Sequence, residues 1–154
     1  MDPRLHYLGE LPVKLREDLS GALDAFDVIK HDFAIAEANE KIRELASKLV
    51  KSQYDIIAVL DNDRLVGIIT AKALVEALVS KLDDLTAKDL VVKDYPILHA
   101  NWSLSKALGV MLLGGVCCAP VVYEDGRLAG IVTLPSISKV MIEDIDVEEL
   151  HAAD

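Results

Sequence analysis

The sequence predicts a mixed α/β (α+β) fold: two tandem β-α-β-β-α units packed together as one pseudo-twofold globule. Three observations predict it. The stretch Arg-Leu-Ala-Gly-Ile-Val-Thr at 127–133 repeats Arg-Leu-Val-Gly-Ile-Ile-Thr at 64–70, at a spacing of 63 residues. Upstream, Leu23–Ile29 matches Leu85–Val91 at a spacing of 62, and Asp32/Asp94, Phe33/Tyr95, Ile35/Ile97 and Ala38-Asn39/Ala100-Asn101 continue the register. A fixed period of this length marks a duplication of one structural unit. Finally, a unit of three short strands and two helices is too small to cover both faces of its sheet alone, whereas two such units packed together can.

The elements follow in order. Residues 1–11 show no strong period. From Pro12, the positions Leu15, Leu19, Ala22 and Leu23 fall at helical spacing opposite Glu17 and Asp18, which predicts a short amphipathic helix that Gly21 weakens. The organisation read from the sequence is therefore an N-terminal segment (1–22), a first repeat (23–82), a second repeat (83–142) and an acidic tail (143–154). Each repeat opens with an extended piece, Phe33–Ala36 or Tyr95–His99. A helix follows, with Ile42, Leu45, Ala46, Leu49 and Val50 as its apolar stripe in the first copy and Leu104, Ala107, Leu108, Met111 and Leu112 in the second. Asn39 and Asn101 stand where N-caps are expected, and Gly114-Gly115 supplies a glycine stop. One residue is gained between the second helix and the strand that follows it. Next come two apolar runs joined by a turn: Ile56–Leu60 and Leu65–Ile69 across Asp61-Asn62-Asp63, and Ala119–Tyr123 and Leu128–Val132 across Glu124-Asp125-Gly126. These read as hairpins. A closing helix follows each threonine, over Ala71–Leu82 and Pro135–Ile142, with Pro135 tolerated in a first turn.

Composition narrows the functional classes. Apolar residues make up 52% of the 154 and charged residues 27%, a globular balance, and no run of 18 uncharged apolar residues occurs. Met1–Glu10 carries Asp2, Arg4 and Glu10 instead of a signal-peptide core, so a cytoplasmic location without membrane insertion is expected. Cys117 and Cys118 are adjacent in an apolar run and read as buried thiols in a reducing compartment. The formal net charge of −10 opposes nucleic acid, and the densest basic stretch (Lys41, Arg43, Lys48, Lys51) is interrupted by Glu40 and Glu44 on a solvated helix face. A small phosphate ligand is compatible with that field, because local N–H groups hold it and salt screens distant charge over roughly 10 Å.

The residues to watch are Thr70 and Thr133. A hydroxyl where a strand ends and a helix begins lies beside unpaired N–H groups and the positive end of the helix dipole, a place suited to an anion. The competing reading is that each threonine caps its own helix. No His-Ser or His-Cys pair with an acid, no metal cluster and no phosphate-cradling glycine loop is legible, so no enzyme and no metal is expected. Asp61, Asp63, Glu124 and Asp125 read as solvated turn acids.

The element order, the Asn-led helix, the hairpin, the Gly-x-x-Thr strand ends and the duplication together resemble the CBS domain, named for cystathionine beta-synthase. Two in tandem resemble a Bateman module over residues 23–142. The resemblance implies a regulatory module that requires no cofactor and senses an adenine nucleotide or related adenosyl ligand (AMP, ADP, ATP, S-adenosylmethionine or NAD) in an inter-repeat cleft. It also implies a regulated enzyme or transporter as partner, while a homodimer is expected from the surplus apolar surface of the helices after Thr70 and Thr133. The family's strand-end threonine corresponds to Thr70 and Thr133. The aspartate that often follows three residues later is replaced by Ala73 and Ser136. Strand groups for the base fall to Ile35–Glu37 and Ile97–His99. The segment before the hairpin is Asp55-Ile56-Ile57 or Cys118-Ala119-Pro120, and Lys72 and His99 are the nearby cations. Ala73 has no acceptor and Asp55 repels phosphate, so the expected site is Thr133, Ser136, Ile97, His99, Ala119 and Pro120, with the Thr70 cleft weaker. The alternative is a ligand-free dimerisation and interaction module, suggested by Ala73 and by Leu74, Val75, Ala77, Leu78 and Val79, which nearly encircle one helix.

Overall fold

The structure is a computed structural model that describes residues 23–81 and 84–144. The helix expected from Pro12 and most of the acidic tail lie outside these residues. Among the described residues the chain forms two compact bodies: the first lies within Lys30–Tyr95 with Val122–Leu128, the second over 23–29, Pro96–Val121 and 129–144.

The first body runs β1 (Ala34–Glu37), α1 (Ile42–Lys51), β2 (Ile56–Asp61), β3 (Arg64–Thr70), α2 (Ala71–Val79) and the short α3 (Ala87–Leu90). Its sheet has the order β1-β2-β3. β1 lies parallel to β2, with Ala34 opposite Ile57 and Glu37 opposite Leu60. β3 returns antiparallel, from Asp61 opposite Arg64 to Ile56 opposite Thr70. The turn between them places Asn62 and Asp63 at φ 52° and 66°, a conformation these two residue types tolerate and one that matches strand twist. Val59 pairs with Gly67 but Leu60 with Leu65, so Val66 is bulged out of the ladder. β2 is buried along Ile56–Leu60, as befits a central strand covered on both faces. Ile57 and Val59 join Ala36, Ile42, Leu45, Ile69, Leu74 and Ala77 in one apolar core. Gly67 is required by close approach: a Cβ there would stand 2.1 Å from Val91 Cγ1.

The second body contains a short 3₁₀ helix (Ala25–Val28), β4 (Leu98–His99), α4 (Leu104–Gly114), all but the last residue of β5 (Cys118–Val122), all but the first of β6 (Leu128–Thr133) and α5 (Leu134–Asp144), with strand order β4-β5-β6. Leu98, Leu104, Ala107, Met111, Val121, Ile131 and Ile137 are almost wholly buried. Gly115 ends α4 in the left-handed region at φ 66°, while Val116 N–H donates to the Met111 carbonyl at 3.1 Å. Gly114, the last residue of that helix, lies against Pro96, whose Cγ would be 2.3 Å from an added Cβ.

Several local expectations change. The helices are capped by Lys41 and Ser103, not by Asn39 and Asn101, which occupy the turns just before. Ser103 accepts a hydrogen bond from Lys106 N–H, whereas Lys41 offers no side-chain acceptor. Val50 is 86% exposed, because it stands roughly 100° around the helix from Leu49 and leaves the apolar stripe. The extended piece over Tyr95–His99 shrinks to Leu98–His99, since Pro96 and Pro120 both lack the N–H that a parallel ladder needs there. α2 stops at Val79 with Ser80 as its C-cap, and α5 runs from Leu134 to Asp144.

The opening segment of each repeat, which the duplication matched without assigning it structure, is a short helix. In both copies an N-cap N–H donates to an aspartate three residues on, Asp24 to Asp27 and Thr86 to Asp89, each at 2.9 Å. Each helix docks on the turn of the other repeat. In the second body Ala25 N–H and Phe26 N–H donate to the Trp102 and Ala100 carbonyls. In the first, Ala87 and Lys88 donate to Glu40 and Ala38, the positions 62 residues earlier.

Candidate functional site

The candidate site is built at the β6–α5 junction of the second body. The apolar run of β6 carries Thr133 into the interior, where it is 5% exposed. Its Oγ1 accepts a hydrogen bond from Ser136 N–H at 3.2 Å, and the two hydroxyl oxygens are 2.8 Å apart. Leu134 N–H donates to the Cys117 carbonyl at 2.9 Å, which fixes the helix start beside the beginning of β5. Ala119 and Pro120 are buried on β5, and Ile97, 39% exposed, immediately precedes β4. His99 ends β4, its ring centroid 5.0 Å from that of Trp102; Lys106 Nζ lies 4.3 Å over the same indole. Six of the seven expected residues thus belong to one body. What they offer is a pair of hydroxyls at a helix N-terminus, an apolar strand and, at the end of β4, an imidazole packed on Trp102.

Thr70 belongs to the first body and makes the simpler junction. Its Oγ1 accepts from Ala73 N–H at 3.1 Å, with no second hydroxyl to extend the site. Ala71 N–H donates to the Asp55 carbonyl at 3.0 Å, the counterpart of the bond from Leu134 to Cys117. Asp55 is therefore equivalent to Cys117, and the residue gained in the second copy falls in the hairpin rather than before it. Asp55 and Lys72 are exposed.

Two features were not legible. The first body carries a cleft of about 310 Å³ along β1, lined by Phe33, Ile35, Lys48, Lys51 and Gln53 among others. Lys48, expected on a solvated face, instead donates to the Ile35 carbonyl at 2.7 Å and to Glu40 Oε1 at 2.6 Å. Glu37 N–H donates to that same Glu40 oxygen at 3.0 Å. The strand groups assigned to a base in the first copy are therefore already engaged. The lysine's position one turn before the end of a helix that returns past β1 was the available signal. The cysteines also differ from expectation: Cys117 is exposed and Cys118 half-buried, because the chain is still outside the sheet at 117. The turn acids are where they were expected. Among them Asp125 accepts from Arg127 N–H and Nε at 3.1 and 2.7 Å, which holds its carboxyl below the usual range. Among the described residues no group of three or more His, Cys, Asp or Glu side chains could hold a metal ion, and no helix is long and apolar enough to cross a membrane.

The CBS domain model matches residues 25–80 and 87–143, and the chain belongs to that family, carrying two copies in tandem. A homoserine O-acetyltransferase of Methanosarcina acetivorans is 28% identical over 131 residues, 84% of this chain but 24% of the relative, so the chain spans about a quarter of that protein's length. A CBS domain-containing protein of unknown function from Bacillus anthracis has the same fold at a TM-score of 0.74 and 23% identity, covering 84% of this chain and 99% of its own. The CBS domain pair of protein MJ0100, solved with 5′-methylthioadenosine and S-adenosyl-L-methionine, superposes at 0.66 with 24% identity, covering 79% and 97%.

Proposed function

We propose that this chain is a regulatory module that binds an adenine nucleotide or related adenosyl ligand at the β6–α5 junction, with Thr133 and Ser136 as its polar grip. Ile97, His99, Ala119 and Pro120 form the wall, and the ligand comes from the set AMP, ADP, ATP, S-adenosylmethionine and NAD. The observation that carries the reading is the hydroxyl pair, buried at Thr133 and half-buried at Ser136, 2.8 Å apart at the N-terminus of an eleven-residue helix. The adenosyl ligands of the MJ0100 pair support the ligand class. The first copy is weaker on three counts: Ala73 has no acceptor, Asp55 is anionic, and Lys48 and Glu40 already hold the outer groups of β1. A regulated enzyme or transporter is the partner such a module serves.

Calorimetric titration with these five ligands tests the proposal. Ser136→Ala should weaken binding about two- to tenfold, the value of one neutral hydrogen bond, and Thr133→Ala by at least as much, while Thr70→Ala leaves it unchanged. If the hydroxyls serve only as caps, Thr133→Ala lowers stability by about 0.5–2 kcal/mol without moving affinity. Loss of binding in Thr70→Ala alone would place the ligand in the other copy.

A second reading, a ligand-free dimerisation module, is favoured by one observation. Val75, Leu78 and Val79 of α2 are 55%, 46% and 76% exposed on one surface helix. A thermal-shift series in which none of the five ligands raises the melting temperature supports it.

A further inference from the structure

The ion pair Glu40–Lys48 sits where a fourth strand would bond. Ala38 N–H donates to the Leu60 carbonyl at 3.1 Å, and Ala34 and Ala36 lie opposite Ile57 and Val59. Even-numbered residues of β1 therefore turn their backbone groups to β2, and Ile35 and Glu37 turn theirs outward. The Ile35 carbonyl and the Glu37 N–H are two of these outward groups, and a parallel added strand would bond both of them through one of its residues. Lys48 Nζ occupies the first at 2.7 Å and Glu40 Oε1 the second at 3.0 Å, and the two side chains join at 2.6 Å. Glu40 is held in place through its own carbonyl, which accepts from Ala87 N–H. Its other carboxylate oxygen is buried without a partner among the described residues, a cost the pair bears for this position.

The second copy has nothing of the kind. The positions 62 residues on are Trp102 and Val110, neither able to form an ion pair. Its edge strand β4 is two residues long, against four for β1. Edge strands invite pairing with another chain, and both shortness and charged side chains blunt that tendency. We infer that the Glu40–Lys48 pair is an edge guard: it occupies the outward Ile35 carbonyl and Glu37 N–H of β1 and prevents a second copy of this chain from adding its own β1 there. The duplication left each copy with the same exposed edge, and the copies are protected by different means.

Replacing both members by methionine keeps side-chain length and removes donor, acceptor and charge. In Glu40→Met/Lys48→Met the Glu37 amide should exchange with deuterium at least tenfold faster at low protein concentration. Sedimentation should show association stronger than wild type, with Glu37 protection returning as concentration rises. Lys48→Arg, which keeps a cationic donor, should retain the wild-type association curve. Circular dichroism checks that the variants fold; if the double variant does not, Lys48→Met alone is decisive, because it frees the Ile35 carbonyl. A folded double variant whose association and Glu37 exchange both match wild type, or a folded Lys48→Met whose association matches wild type, overturns the inference. These readouts use no nucleotide and stand independently of the ligand proposal.

Discussion

At the residue scale, single backbone contacts decide which side chains are tolerated. Gly67 admits no Cβ, since Val91 fills the space beside it. Gly67→Ala should destabilise the protein by about 1–3 kcal/mol in urea unfolding, the usual cost of overpacking. Gly115→Ala, at φ 66°, should cost about 1 kcal/mol by backbone strain alone. The carboxylates give a pH signature. Asp89 is held below the ordinary range by hydrogen bonds from Thr86 N–H and Oγ1, as Asp125 is by Arg127. A carboxylate with a depressed folded value contributes stability above its unfolded pKa of about 3.9, and that stability is lost as pH falls through the folded value. Melting temperature should accordingly fall below about pH 4, and the fall should be shallower in Asp89→Asn and Asp125→Asn, whose melting temperatures at pH 7 lie below wild type. Thr133 stood out as a repeated strand end and Ser136 as the position of the family's aspartate; that the two meet follows from i and i+3 lying together at a helix start. Sequence reasoning missed Lys48 because the length of a lysine stem lets its head leave the helix face and reach a carbonyl 13 residues back.

At the element scale, helix and strand identity followed from periodicity, while ends followed from groups that periodicity does not see. Every apolar run expected as a strand is one, and Thr70 and Thr133 end their strands. The caps moved two residues downstream because Asn39 and Asn101 are used in turns that receive the short helices, a contact between residues far apart in sequence. β4 is shorter than the extended run predicts, and Pro96 beside it and Pro120 on β5 each lack a ladder N–H. α2 buries Leu74 and Ala77 and leaves Val75, Leu78 and Val79 outside. We expect a homodimer built on the helices after Thr70 and Thr133. Val75→Glu with Val79→Lys should shift the protein to monomer in sedimentation at tens of micromolar, about the range of weak to moderate association, with the fold intact by circular dichroism. A dimer unchanged by that pair would place the interface elsewhere.

At the scale of the whole molecule, a formal net charge of −10 should keep duplex DNA unretarded in a mobility assay at physiological salt. The same chain is divided in two different ways. The sequence repeats by copies, 25–80 and 87–143, whereas the compact bodies divide after Ile29 and Tyr95. This has a consequence for the chain as it leaves the ribosome. The Ala38 and Glu40 carbonyls and the Ile68 carbonyl receive their partners from Lys88, Ala87 and Val92. When synthesis has reached the end of the first copy, that copy still lacks the segment that closes it. Meanwhile the helix at Ala25–Val28 waits for Ala100 and Trp102. Each copy alone therefore lacks backbone partners that the other copy's sequence supplies. A chain terminated after Ser80 should remain a protease-sensitive, incompletely folded nascent product, whereas one extended through Tyr95 carries every one of those three missing donors.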